Sequence, residues 1–243
     1  MRIIKLDAID STNDFLKELV NHQTVENFTV VTAESQTKGK GQMGATWTSE
    51  PSKNLLMSVL IKNFLPDIQS VFNINSIFSV SVIQVLKTLN IPELSIKWPN
   101  DILSYNKKIG GVLIENILKS EGEIISIIGF GLNVNQTDFS LLPQASSLSA
   151  ISKTTFDKEA ILQQLINRLE SNCEIWNQNN DFFLDEYSNL LFKKGVPMPF
   201  CNQNKEKFMG IIQGVSSGGK LEILLENDLV SEFDIKEIQM LYC

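Results

Sequence analysis

Two apolar runs, Ile109–Ile117 and Ile124–Val134, follow one another with a single polar break, a turn around Glu121-Gly122. Runs this continuous in apolar character suit strands of a sheet covered on at least one face. Other segments carry helical spacing. Phe72, Ile74, Ile77, Phe78, Val82, Val85 and Leu89 recur with helical period from about Val71 to Leu89. Ser11 can cap a further helix, with Asp14 adding negative charge to its first turn and Phe15, Leu16, Leu19 and Val20 repeating behind it. Phe156–Trp176 and Phe182–Phe192 read as amphipathic helices. Phe28–Ala33 and Leu55–Ile61 are strand-like, and Ser95–Trp98 is a short strand cut by Pro99. Residues 37–53 read as a long loop, and residues 136–155 as a loop with a short helix. After Gly195 the texture changes to short strand-like runs, Lys207–Val215, Leu221–Glu226 and Leu229–Phe233. Gly218-Gly219 and Asn227-Asp228 are hairpin signals between them. The expectation is a larger domain over 1–193 and a small β-barrel over 194–243.

Composition excludes several classes. A chain of 243 residues, 43% hydrophobic, can bury a sizeable core. Its 21 Lys+Arg against 28 Asp+Glu give a net charge of −7, with no basic arm or stripe, which argues against nucleic acid as a partner. Charges interrupt the apolar residues of the N-terminus, so no signal peptide is visible, and no run reaches membrane-spanning length. Cys173, Cys201 and Cys243 are scattered without a CxxC pair, as expected for free thiols in a reducing cytoplasm. The single histidine, His22, sits in a polar stretch, which argues against a histidine metal cluster and a Ser-His-Asp triad; a lone-His Cys-His arrangement has no support in the spacing, and no metal ligands can be named.

Gly39-Lys40-Gly41-Gln42-Met43-Gly44 matches GxGxxG, but a dinucleotide loop must lead from a strand into a helix. Here the chain continues toward a strand. A plain surface loop would account for the glycines, but not for Trp47, a large ring in a polar segment. Ser35, Gln36 and Thr37 flank the loop with groups able to hydrogen-bond a polar ligand. A loop folded over a ligand, with Trp47 as part of its wall, explains both.

Lys97-Trp98-Pro99-Asn100-Asp101 interrupts a strand, because Pro99 has no N–H for a ladder. Asn100 and Asp101 then stand where a strand stops and a pocket can begin; the alternative is a turn held by an Asx hydrogen bond. Lys107-Lys108-Ile109-Gly110-Gly111 places an ammonium beside accessible backbone. Such a group can neutralise charge on a phosphate or carboxylate, a role assigned to Lys108, with Lys107 solvated. Asn133 shares an alternating set with Gly129 and Gly131. It could reach a base edge or ribose, or serve as a structural amide.

Taken in order, Asp10-Ser11-Thr12-Asn13, Ala33-Glu34-Ser35-Gln36 with the glycine loop and Trp47, Lys97–Asp101, Lys108–Glu115 and Gly129–Asn135 resemble the biotin–protein ligase family. The resemblance is close over residues 1–135. It implies an α+β catalytic domain, with a mixed β-sheet flanked by helices of the class II synthetase-like, biotin–lipoate ligase type, followed by an SH3-like barrel. It implies ATP-dependent activation of biotin to biotinoyl-5′-AMP and transfer to a lysine of a biotin carboxyl carrier protein, with Mg²⁺ assisting. Ser11, Thr12, Asn13 and Gln36 would hold the ureido ring. Gly39, Lys40, Gly41 and Gln42 would close over the carboxylate and α-phosphate, and Trp47 would wall biotin from adenine. Lys108 would contact the reacting carboxylate and phosphate, beside Gly111. Asn100, Asp101 and Asn133, with Gln42, Trp47 and Lys108, would serve the nucleotide. Lys108, Lys40 and Asp101 would be the catalytic groups, Asp101 either assisting deprotonation of the acceptor lysine or acting structurally.

The chain departs from the family's arginine-rich loop, GRGRxGR, at Lys40, Gln42 and Ala45, none of which can supply a bidentate guanidinium. The motifs begin by Ser11, which leaves no room for the helix-turn-helix of repressor-type members, and no DNA binding is expected. Lipoate ligases and a non-catalytic biotin or nucleotide sensor are the rival readings. An exposed sheet edge leaves a homodimer open.

Overall fold

The computed structural model describes residues 2–67, 70–119, 122–179 and 181–242; Glu121 of the expected turn and Cys243 fall outside them. The centre of the fold is a seven-stranded sheet in the order β1-β2-β3-β7-β6-β5-β4. Its strands are β1 (Ile3–Ile9), β2 (Val30–Gln36), β3 (Leu55–Lys62), β4 (Leu94–Lys97), β5 (Asp101–Ser104), β6 (Lys107–Leu118) and β7 (Ile124–Leu132). Only β1 and β2 run parallel, so the sheet is mixed. The two apolar runs that open the sequence reading are its adjacent strands β6 and β7.

Helices cover both faces. On one, α1 (Thr12–His22) starts where Ser11 Oγ accepts from Asp14 N, as expected, and buries Leu16 and Val20 against Val31, Leu60, Ile125 and Ile127. On the other, α2 (Val71–Thr88) lies beneath α4 (Lys158–Trp176) and α5 (Phe182–Asn189), with Met57, Val59, Ile128 and Phe130 facing them. The short helix α3 (Leu148–Ser152) falls inside the expected loop segment. A second, antiparallel sheet has the order β11-β10-β9-β8-β12. Its strands are β8 (Pro197–Asn202), β9 (Lys207–Val215), β10 (Leu221–Leu225), β11 (Val230–Phe233) and β12 (Ile238–Met240). Phe200, Ile212 and Ile223 of this sheet join the same buried cluster as the larger sheet's helical face.

Four strands escaped the sequence reading. Edge strand β1 is broken up by Lys5 and Asp7, and β5 and β12 have only four and three residues. Pro197 and Pro199 disguise β8. The helix expected to reach Phe192 ends at Asn189, because Leu190 and Phe192 instead exchange backbone hydrogen bonds with Ile96 of β4. Against the expectation that no run reaches membrane-spanning length, α2 is long and apolar enough to do so by length and composition. It is two-thirds buried inside the fold, as a core helix is.

Phe78 of α2 is fully buried and stands edge-on to Phe130 of β7, with ring centroids 5.3 Å apart. Phe78→Ala is expected to lower unfolding stability by roughly 3–5 kcal/mol in urea denaturation. A loss below about 1 kcal/mol would contradict this packing.

Candidate active site

On the α1 face of the sheet the side chains shrink. β7 presents Gly129 and Gly131 there, opposite Ser58 and Leu56 of β3, and Gly131 in turn lies opposite Gly111 of β6. The space so vacated is a cavity of about 250 Å³ at the start of α1. Gly129 and Gly131 are required by what fills the rest. A Cβ on Gly129 would lie 2.4 Å from Asn13 Oδ1, and one on Gly131 2.4 Å from the Trp47 ring.

The cavity floor is a chain of buried and part-buried hydrogen bonds. Thr12, through both its N–H (2.8 Å) and its hydroxyl (3.1 Å), donates to Gln36 Oε1. A backbone N–H can only donate, so the Gln36 amide must present its oxygen there and keeps Nε2 as the donor on its other side. Ser58 Oγ lies within hydrogen-bond distance of both Thr12 Oγ1, at 2.7 Å, and Asn13 Oδ1. Asn13 Nδ2 donates to Glu115 Oε2 at 2.7 Å and, at 3.5 Å, to Leu113 O. Ser58, Thr12 and Asn13 are at most 3% exposed. Thr12 Oγ1, Ser58 Oγ and Asn13 Oδ1 together hold more acceptor lone pairs than the two hydroxyl protons can occupy, so a ligand N–H entering here meets a buried acceptor.

The roof is the glycine segment, already folded down. Lys40 and Thr46 form an antiparallel bridge, Gly41 N donates to Ala45 O at 2.7 Å, and Trp47 N donates to Gly39 O at 2.9 Å. Gln42–Gly44 make one 3₁₀ turn with Met43 at positive φ, and no helix follows Gly44, against a dinucleotide loop. Gly41, Gln42 and Trp47 line the cavity. Lys40 lines it too, but its ammonium is paired with Asp14 at 2.7 Å, and that hydrogen bond raises its pKa above the ordinary lysine range. Gly39 is not in the lining; it lets the backbone pass Trp47 O, which a Cβ would approach to 2.3 Å.

Asp101, Gly111 and Gly131 form one cross-strand row. Lys108 would point away from that row in a regular strand. A register shift leaves Ile109 unpaired between Ile102–Gly110 and Leu103–Lys108, which turns Lys108 back toward Asp101. Its Nζ lies 2.6 Å from Asp101 Oδ1 and 5.5 Å from the centroid of the Trp47 ring. The bulge was not legible in the sequence. Of the glycine pair after it, Gly111 lines the cavity, whereas Gly110 serves close packing on Phe130 and Gly131 O, a correction to its expected approach to a ligand. Lys107 reaches Pro143 O at 2.6 Å.

Lys97–Asp101 joins β4 to β5 through a cis Trp98–Pro99 bond. Pro99 O accepts from Asn75 Nδ2 and Tyr187 Oη, both at 2.8 Å. Burial pushes the Tyr187 phenol well above its ordinary pKa, which keeps it a donor. Asn100 lines the cavity and also donates from Nδ2 to Val112 O at 2.6 Å. Asn75, Tyr187 and Ser58 were missed in the sequence; a lone serine in the otherwise apolar Leu55–Ile61 run was the one available signal.

Asn133 lies outside this cavity. It borders a second one of about 300 Å³ on the other side of Trp47, closed by Leu141, Leu142 and Pro143. Its Nδ2 donates to Ser146 O at 3.0 Å, so a structural amide is part of its role. Trp47, Thr46 and Lys108 are the residues common to both cavities. Among the described residues no group of three His, Cys, Asp or Glu could hold a metal. Burial pushes the Cys173 thiol up to about 12, so no thiolate nucleophile is available there.

The family model described as biotin/lipoate A/B protein ligase matches residues 6–133, more than half of the chain, and the chain belongs to that family. Bifunctional ligase/repressor BirA of Bacillus spizizenii is 34% identical over 168 residues, 68% of this chain and 51% of that protein. The chain thus spans about half the length of that curated relative. The biotin–[acetyl-CoA-carboxylase] ligase of Mycobacterium tuberculosis is 25% identical over 215 residues, 87% of this chain and 79% of that one. Among solved structures, biotin protein ligase from Aquifex aeolicus in complex with biotin and ATP superposes with a TM-score of 0.81 at 26% identity, covering 100% of this chain and 99% of that one.

Gly131→Ala should displace the Trp47 ring. In a ¹⁵N-correlation spectrum the Trp47 indole resonance is expected to move while that of buried Trp176 stays in place. An unmoved Trp47 signal would show that the ring does not rest on Gly131.

Proposed function

We propose that this chain is an ATP-dependent biotin–protein ligase, which activates biotin as biotinoyl-5′-AMP and transfers it to a lysine of a biotin carboxyl carrier protein in the cytoplasm. The observation that carries this reading is the floor of the cavity, where a fixed donor, Gln36 Nε2, accompanies the buried acceptor oxygens of Thr12, Ser58 and Asn13. A cyclic urea offers a carbonyl flanked by N–H groups and satisfies both. The dithiolane of lipoate offers no N–H at all and would leave the acceptor unpaired, an asymmetry that gives large discrimination. The relatives named above support the same substrate.

Lys108 borders both cavities, so the acid's carboxylate and the nucleotide's α-phosphate would meet at its ammonium. A carboxylate oxygen attacks the α-phosphorus and pyrophosphate leaves. The acceptor lysine's amine then attacks the acyl carbon and AMP leaves. Two anions approach in the first step, and Lys108 supplies the charge that offsets their repulsion. Asp101 holds that ammonium on the cavity side and is placed to take a proton from the incoming amine. Mg²⁺ would enter with the triphosphate, with Asp101 the one carboxylate in the cavity lining. Adenine would stack behind Trp47 in the second cavity, beside Asn133 and Leu142. Trp47 and the folded hairpin would shield the mixed anhydride from water. The domain division at 193/194 and closure of the second sheet into an SH3-like barrel belong to this reading, supported by five antiparallel strands in sequence.

Lys108→Ala is expected to slow biotin-dependent pyrophosphate release by about 10²–10³-fold with an unchanged melting temperature. Wild-type protein with ATP, Mg²⁺ and labelled biotin should label a carrier domain. An unchanged rate in the variant would overturn the role of Lys108, and binding of biotin without transfer would favour a sensor.

A further inference from the structure

The orientation of the Asn13 amide decides whether the floor presents an acceptor or a donor, and Asn13 does not fix it alone. Behind it, Glu115 of β6 accepts from Asn13 Nδ2 with one carboxylate oxygen and from Lys17 Nζ of α1 with the other. A carboxylate accepts and an ammonium donates, so neither can reverse its role. Glu115 must therefore meet the NH₂ side of Asn13, which turns Oδ1 toward Ser58 and Gly129 at the cavity floor. Asp14 stands 3.8 Å from Lys17 and binds Lys40, so this chain of alternating charges also reaches the roof.

We infer that Glu115 is a positioning residue for ligand specificity: it sets the polarity of the Asn13 amide and so selects a ligand that donates an N–H at that point. The inference rests on the biotin reading. It extends that reading to a residue that reaches the ligand only through Asn13. In Glu115→Gln, Lys17 claims the one remaining carbonyl oxygen, and the new NH₂ faces Asn13. The Asn13 amide then rotates, giving up its long 3.5 Å contact to Leu113 O, and offers N–H to the cavity in place of oxygen.

The test is calorimetry with biotin and the two analogues in which one ring N–H is replaced by oxygen, each a cyclic carbamate. In wild-type protein one carbamate is expected to bind at least about tenfold more weakly than biotin, the cost of facing two acceptors. In Glu115→Gln biotin should weaken by about tenfold while that carbamate changes by less than about threefold, so the preference collapses. Glu115→Asp, which still only accepts, should keep the preference. The ratio of two affinities within one protein does not depend on its folded fraction. Glu115→Ala provides the same comparison if the Gln variant does not fold, with a reduced preference expected. Equal weakening of both ligands, or an unchanged preference, would overturn the role of Glu115. Failure of wild-type protein to bind biotin at all would instead remove the biotin reading, and this inference with it.

Discussion

The site depends on a line of hydrogen bonds laid across the sheet, buried at Ser58 and part-buried at its ends, from Gln36 through Thr12, Ser58 and Asn13 to Glu115. Polar groups shielded in this way hold their orientation because any reversal leaves a donor facing a donor or an acceptor facing an acceptor. Three members are anchored by groups that cannot change sign: the Thr12 backbone N–H, the Lys17 ammonium and the Glu115 carboxylate. The cavity is therefore polarised before any ligand arrives. That preorganisation reduces the ordering cost of binding.

The rest of the architecture brings the reacting groups to this line. Glycines on β6 and β7 clear the α1 face and let the Trp47 ring approach it closely. The bulge at Ile109 turns Lys108 onto the same row as Asp101 and Gly111. From the opposite face, Asn75 of α2 and Tyr187 of α5 grip Pro99 O and fix the turn that carries Asn100 and Asp101. Trp98 Nε1 donates to Gly219 O at 2.9 Å, which ties the same turn to the second sheet. Lys40, standing where the family has an arginine, is held to α1 by Asp14, so the roof is latched by an ion pair at the cavity's edge.

Much of this was legible in the sequence and some was not. The helix start at Ser11, strands β3, β6 and β7, helices α2 and α4, and the hairpin signals of the second sheet follow from period and turn chemistry. The structure brings Ser11, Thr12, Asn13, Gln36, Lys40, Gly41, Gln42, Trp47, Asn100, Asp101, Lys108 and Gly111 to one cavity, as motif order suggested. Gly39 and Asn133 fall outside it, because a motif marks a segment and cannot say which of its residues face the space. Ser58, Asn75, Tyr187 and the bulge were hidden for a related reason: their roles exist only once distant strands and helices are in register. Short or proline-bearing strands such as β5 and β8 lack the pattern length on which sequence reading relies.

The central claim is that this cavity is built for an acid carrying a cyclic urea. Titration calorimetry of the protein with biotin and, separately, with lipoate tests it most directly. The account predicts saturable binding of biotin at one site per chain and no detectable heat with lipoate under the same conditions. Lipoate binding as tightly as biotin, or binding alone, would contradict it.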